Sequence, residues 1–240
     1  MFGFYYFDPT MLIVLPAMVF AIWAQFKVNS TFQKYSTVVG RMGYTGATAA
    51  RRLLDYNGLY SVAIQQTHGK LSDHYDPRNK TLYLSTEVYA STSAAAIGVA
   101  CHEAGHAIQD AKEYAPLKLR MKIIPACNLG SQLAMPLFLI GLLVASFTEL
   151  GGTVGWTLMM LGIAGFSLAA FFQLVTLPVE FNASKRAMAG MRDCGLLVDN
   201  ELPAARKVLT AAAMTYVAAL ATSLLSLLRL IVIANSRRRD

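Results

Sequence analysis

Four stretches of this chain carry almost nothing but apolar side chains, and polar residues crowd into the intervals between them. They cover about residues 11–26, 123–147, 154–179 and 208–234. At about 1.5 Å of rise per residue, such runs suit helices crossing a hydrocarbon core of roughly 30 Å. None of them holds a Lys, Asp or Glu, although Arg229 interrupts the fourth near its end. The pattern predicts an integral membrane protein. Composition agrees: of 240 residues, 55% are hydrophobic and only 15% charged, and the mean hydropathy is +0.43, more apolar than a typical soluble domain.

Residues 27–122 are the one sizeable polar region. Within it, residues 45–58 read as a short amphipathic helix with a polar start and a Gly stop. Residues 61–67 and 70–75 alternate weakly, as strands do. Asp76-Pro77-Arg78-Asn79 is a turn signal, and Thr81-Leu82-Tyr83-Leu84-Ser85 is the best short strand in the chain. After Ser91, Thr92 and Ser93, a small-residue helix starts at Ala94 and runs into Cys101-His102-Glu103-Ala104-Gly105-His106. The fold expected is a mainly α membrane protein of about four transmembrane helices, with a small α+β region between the first and second spans. The segments are an anchor (1–26), the α+β region (27–122), a transmembrane hairpin (123–179), a polar segment (180–207), and a last span with a basic tail (208–240).

The distribution of basic residues sets orientation. Lys27, Lys34, Arg41, Arg51 and Arg52 follow the first run; Lys112, Lys118, Arg120 and Lys122 precede the second; Lys185, Arg186 and Arg192 follow the third. The short link 148–153 carries Glu149 and no positive charge. This places the N-terminus outside and residues 27–122 and 180–207 inside. Arg237-Arg238-Arg239 disagrees, since a fourth crossing exports it; either the rule is overridden there, the reading we favour, or the fourth run does not fully cross. The first run lacks a basic segment before it and leads directly into Lys27, so it reads as an anchor and not a cleavable signal. The net charge of +7 needs no nucleic-acid partner, because basic residues beside spans are expected against anionic leaflets. Cys101, Cys127 and Cys194 are scattered and odd in number, so no disulfide framework is implied.

His102-Glu103-Ala104-Gly105-His106 fits H-E-x-x-H. On a helix, positions i and i+4 share a face, so His102 and His106 can offer two nitrogens to one metal, with Glu103 placed to take a proton from water. A strand followed by an Ala-rich helix with this motif is the layout of zinc-dependent peptidases. There a strand edge can hold an extended peptide; the plainer reading makes residues 81–85 merely structural.

A third ligand can be sought by elimination. No histidine follows His106, so a downstream ligand is a carboxylate. Asp110 and Glu113 lie too close along the same helix, and Glu149 lies in the outside link. Glu180 stands directly after the third run on the inner side, where an unpaired carboxylate is costly. The competing reading pairs it with Lys185 or Arg186 on its own helix.

Four blocks carry a resemblance: Leu71-Ser-Asp-His-Tyr-Asp-Pro77, Leu82-Tyr-Leu-Ser85, Gly98-Val-Ala-Cys-His-Glu-Ala-Gly-His-Ala-Ile-Gln109 and Leu177-Pro-Val-Glu-Phe-Asn-Ala-Ser-Lys-Arg-Ala187. Over essentially its whole length the chain resembles the YugP-type neutral zinc metallopeptidases of bacterial membranes, and in style the HtpX-like proteases. The resemblance implies a bacterial membrane zinc peptidase with a zincin-like catalytic region at 27–122; taken with the basic residues, the chain is expected in the bacterial cytoplasmic (inner) membrane, multi-pass, with its active site on the cytoplasmic side. The resemblance also implies Zn2+ held by His102, His106 and Glu180, Glu103 as catalytic base, and a protein or peptide substrate, foremost a membrane protein. The HtpX-like proteases place an Asp four positions after the ligand Glu; here that position is Ser184, so support for a ligand is expected from elsewhere or in weaker form. For the oxyanion or for ligand support, His74 and Arg186 are the candidates, against plainer roles in a hairpin and at the lipid surface.

Two other classes compete. A site-2-type intramembrane protease buries H-E-x-x-H within a span, but here Lys112, Lys118 and Arg120 follow the motif closely. A metal-structural membrane adaptor has no need of Glu103.

Overall fold

A computed structural model describes residues 8–69, 72–147 and 151–237. Lys70 and Leu71, Glu149 of the short link, and Arg238 and Arg239 of the basic tail lie outside the described residues. Among the described residues, seven helices and three strands follow in order: α1 (Met11–Tyr35), α2 (Gly46–Tyr56), β1 (Ala63–Thr67), β2 (His74–Asp76), β3 (Thr81–Ser85), α3 (Thr86–Tyr89), α4 (Ala94–Ala111), α5 (Ala115–Phe147), α6 (Gly151–Asp193) and α7 (Leu202–Arg237). This is a mainly α membrane protein with a small α+β region. Among the described residues, helices α1, α5, α6 and α7 are long and apolar enough to cross a membrane.

The chain divides into two compact units. One comprises Met1–Trp23, Arg120–Val175 and Val217–Asp240; the other comprises Ala24–Leu119 and Thr176–Tyr216. In the first unit, bare backbone lets α5 and α6 approach closely. A side chain on Gly155 would come within 2.6 Å of the Gly141 carbonyl oxygen, and one on Gly141 would meet Gly155 in the same way. Such contact replaces the hydrophobic drive that lipid removes. Arg229, the one charge in the fourth apolar run, donates to Asp8 Oδ2 at 2.7 Å and Thr10 Oγ1 at 3.0 Å. A paired, hydrogen-bonded guanidinium is the form in which a span tolerates charge.

The second unit has its own core, built from α2, β3 and α4 with Leu53, Leu54, Leu82, Leu84, Ile97 and Ala100 fully buried. Helix α2 starts at a capping box, the Thr45 side chain accepting from Thr48 N and the Thr48 side chain from the Thr45 backbone. Ser93 caps α4 by accepting from Ala96 N. The turn at Asp76-Pro77-Arg78-Asn79 joins β2 to β3 as expected, and β2 pairs antiparallel with β3, Tyr75 opposite Leu82. β1 pairs parallel with β3 from Ala63–Thr81 to Thr67–Ser85, giving the order β1-β3-β2.

Two features depart from the sequence pattern. Strand β3 is central, paired on both sides, so of the two readings of residues 81–85 the structural one holds and the open edges belong to β1 and β2. Helices α1, α5, α6 and α7 also run well past their apolar windows. Helix α6 continues through Glu180 to Asp193 with Pro178 inside it, because the residues that follow (Ala183, Lys185, Arg186, Ala187, Met188) are good helix formers.

Candidate metal centre

The site lies within the second unit, where α4 meets the far part of α6. The approach is set by Gly105 between the two histidines: a Cβ there would stand 2.7 Å from the Ala183 carbonyl oxygen. With that clearance, Glu180 reaches both rings. Its Oε2 lies 3.2 Å from His102 Nε2 and 3.5 Å from His106 Nε2. The rings stand edge to face, with centroids 4.8 Å apart. The structure therefore brings His102, His106 and Glu180 together, one donor atom from each within 4.8 Å of the others. Glu180 is 2% exposed.

Each ring's other nitrogen is tied away from this centre. His102 Nδ1 is 3.1 Å from Ser184 Oγ, and His106 Nδ1 is 3.0 Å from Gln109 Oε1. A carbonyl oxygen only accepts, so Nδ1 of His106 carries the proton and Nε2 keeps its lone pair for an ion. Gln109 is itself fixed, donating from Nε2 to the Val179 carbonyl at 2.7 Å and to Asn182 Oδ1 at 3.0 Å. Asn182 Oδ1 also accepts from Arg186 Nε at 2.7 Å. A chain of hydrogen bonds thus runs Arg186–Asn182–Gln109–His106. Burial works against charging His106, but the Glu180 hydrogen bond and the nearby Glu103 and Glu180 charges outweigh it and raise its pKa.

Two imidazole nitrogens and one carboxylate oxygen, with the tautomer of one ring set by an acceptor, are a donor set that fits zinc. Glu103, one position along from His102, stays outside this triangle and lines an adjoining cavity.

The other expected residues fall as follows. Ser184, at the position where an Asp is expected in the resembling proteases, brings a neutral hydroxyl to within 3.1 Å of His102 Nδ1. Arg186 is half-buried and acts at the end of the Asn182–Gln109 chain. His74 is exposed, stacked on the Tyr83 ring with centroids 4.8 Å apart, its Nδ1 2.8 Å from the Ser72 carbonyl. Asp110 accepts from the Tyr75 hydroxyl at 3.0 Å, and Glu113 pairs with Lys118.

Sequence reasoning passed over Asp73, which lines the cavity beside Glu103 and accepts from Ser85 N at 2.7 Å and Ser85 Oγ at 3.1 Å. No local signal ties residue 73 to residue 103. Gln109 and Asn182 were legible in principle, since i+3 from His106 and i+4 before Arg186 are helical neighbours.

Comparison with known proteins adds a family. The model of a family described as "Putative neutral zinc metallopeptidase" matches residues 10–235. A Bacillus subtilis (strain 168) protein, "Putative membrane protease YugP", is 48% identical over 228 residues, covering 95% of this chain and 97% of that one. No solved structure matches.

Proposed function

We propose, from the premise that the chain belongs to the putative neutral zinc metallopeptidase family, that it is a membrane endopeptidase of the bacterial inner membrane. Its substrates are membrane or membrane-associated proteins, and its site faces the cytoplasm. The observation that carries the reading is the convergence of His102 Nε2, His106 Nε2 and the Glu180 carboxylate, with Nδ1 of both rings tied off by Ser184 and Gln109.

His102, His106 and Glu180 would hold zinc, which when bound supplies a Lewis acid that polarises a carbonyl and lowers the pKa of a water to about 7. Glu103 takes the proton of the attacking water and delivers it to the leaving amine. Ser184 holds the His102 ring in its orientation, and Gln109, Asn182 and Arg186 do the same for His106. This gives Arg186 the ligand-supporting one of its two candidate roles. Helix α4 is not among the four membrane-length helices, which favours a site beside the bilayer over an intramembrane one of the site-2 type.

The test is zinc content together with proteolysis. Purified protein is expected to hold about one zinc per chain and to cleave an unfolded membrane protein, while Glu103→Gln keeps the zinc and loses at least a hundredfold in rate. Full activity in Glu103→Gln sinks the mechanism.

A further inference from the structure

The cavity beside Glu103 has a volume of about 300 Å³, at the lower end of the range for ligand sites. Its walls are largely apolar: Phe32 of α1, Val99 of α4, and Val208, Leu209 and Ala212 of α7. Into this space face two carboxylic residues, Asp73 and Glu103, and no Lys or Arg is among the described residues lining it. Lys185 and Arg206 line a different cavity of about 320 Å³, the one that includes Ser184. Charge is therefore sorted, with acid beside the base Glu103 and cations in the other cavity.

Resting on the hydrolase reading above, we propose that this cavity is the subsite for a basic side chain, lysine or arginine, in the residue adjoining the scissile bond. Its methylene stem lies along Val99, Val208 and Leu209, and its charged head meets Asp73. Long basic side chains bury apolar stems while keeping the head beside a polar partner. Burial raises the Asp73 carboxyl above its ordinary range, against the lowering effect of its Ser85 hydrogen bonds, and the Glu103 charge raises it further. A bound cation relieves both penalties. The carboxylate is also oriented before substrate arrives, because Ser85 N and Oγ hold both of its oxygens. The matching substrate is an apolar segment bearing a basic residue, the composition found where membrane spans end on the positive side.

The experiment uses quenched fluorescent peptides of Ala and Leu with one central guest: Lys, its uncharged isostere norleucine, or Glu. The zinc-loaded full-length protein in detergent cleaves them, and mass spectrometry locates the broken bond. Cleavage next to Lys, about tenfold faster than the norleucine peptide is cut, with Glu slowest, is expected. Asp73→Asn keeps the Ser85 contacts and removes the charge, so the Lys-to-norleucine ratio should fall towards one. An equal rate for Lys and norleucine, or a ratio that Asp73→Asn leaves intact, overturns the proposal. Binding of the same peptides to zinc-loaded Glu103→Gln, followed by fluorescence anisotropy, gives a reading independent of turnover. If no peptide is cut, the hydrolase reading fails, and the Lys-to-norleucine affinity ratio, with and without Asp73→Asn, still decides the subsite.

Discussion

At the scale of single residues, the centre depends on side chains that touch no ion. Ser184 and Gln109 each fix one ring, and losing such a partner typically costs 10- to 100-fold in metal affinity. Gln109→Leu should cost the most, because it leaves His106 Nδ1 without its acceptor and also takes one donor each from Asn182 Oδ1 and the Val179 carbonyl. Zinc competition against a fluorescent chelator measures the loss; an unchanged affinity in both Gln109→Leu and Ser184→Ala removes their supporting role. The pKa of His106 gives a second expectation. It is raised, and zinc needs the ring neutral, so protons compete with the ion over a range beginning above the ordinary histidine value of about 6.5. In the metal-free protein the same shift favours folding at low pH, and that contribution is lost as pH rises through the folded-state pKa. Zinc affinity should therefore fall as pH drops from 8 to 6, which titrations at fixed pH would record. At this scale the sequence displayed the His102–His106 pair through its spacing and pointed to Glu180 through the cost of a carboxylate at the membrane edge, and the structure brings the three side chains together. Asp73 was hidden, because its approach to Glu103 depends on how a loop before β2 packs against a helix some thirty residues later.

At the scale of elements, the contact that decides the site is between α4 and α6, and Gly105 permits it. Gly105→Ala places a methyl 2.7 Å from the Ala183 carbonyl oxygen. The obstacle is backbone, so a helix must shift, at a cost of about 1–3 kcal/mol as for other overpacked sites. The shift moves Glu180 away from the rings, so zinc affinity should drop more than thermal stability does. Thermal unfolding and zinc content of Gly105→Ala, taken together, separate the two; equal zinc content in both proteins counts against this account. Helix existence was readable from caps and periodicity, with Thr45 and Ser93 opening α2 and α4 where expected. Helix length was not, since the apolar run ends at Val179 while backbone hydrogen bonding continues to Asp193. Strand pairing was hidden as well. Thr81-Leu82-Tyr83-Leu84-Ser85 announces a strand, but nothing within it says that β1 would lie parallel on one side and β2 antiparallel on the other.

At the scale of the molecule, two independent arguments favour one side of the bilayer for residues 27–122 and 180–207 together. Basic residues flank the polar segments 27–122 and 180–207, which favours both on the cytoplasmic side. Geometry makes a separate demand: His102 and Glu180 come from these two segments and stand 3.2 Å apart, so both must emerge on one face of the bilayer. The chain between them holds two membrane-length helices, α5 and α6, and two crossings return it to the side it left. Arg229 weighs little against this arrangement, because it is bound to Asp8 and Thr10. Asn79→Cys and Asp199→Cys, each in a Cys194→Ala background with the buried Cys101 and Cys127 retained, would report the side directly. A membrane-impermeant maleimide should leave both unlabelled in intact cells and label both once the membrane is opened. Labelling of one position alone in intact cells would contradict the shared metal centre. Labelling of both would keep that centre and reverse its side.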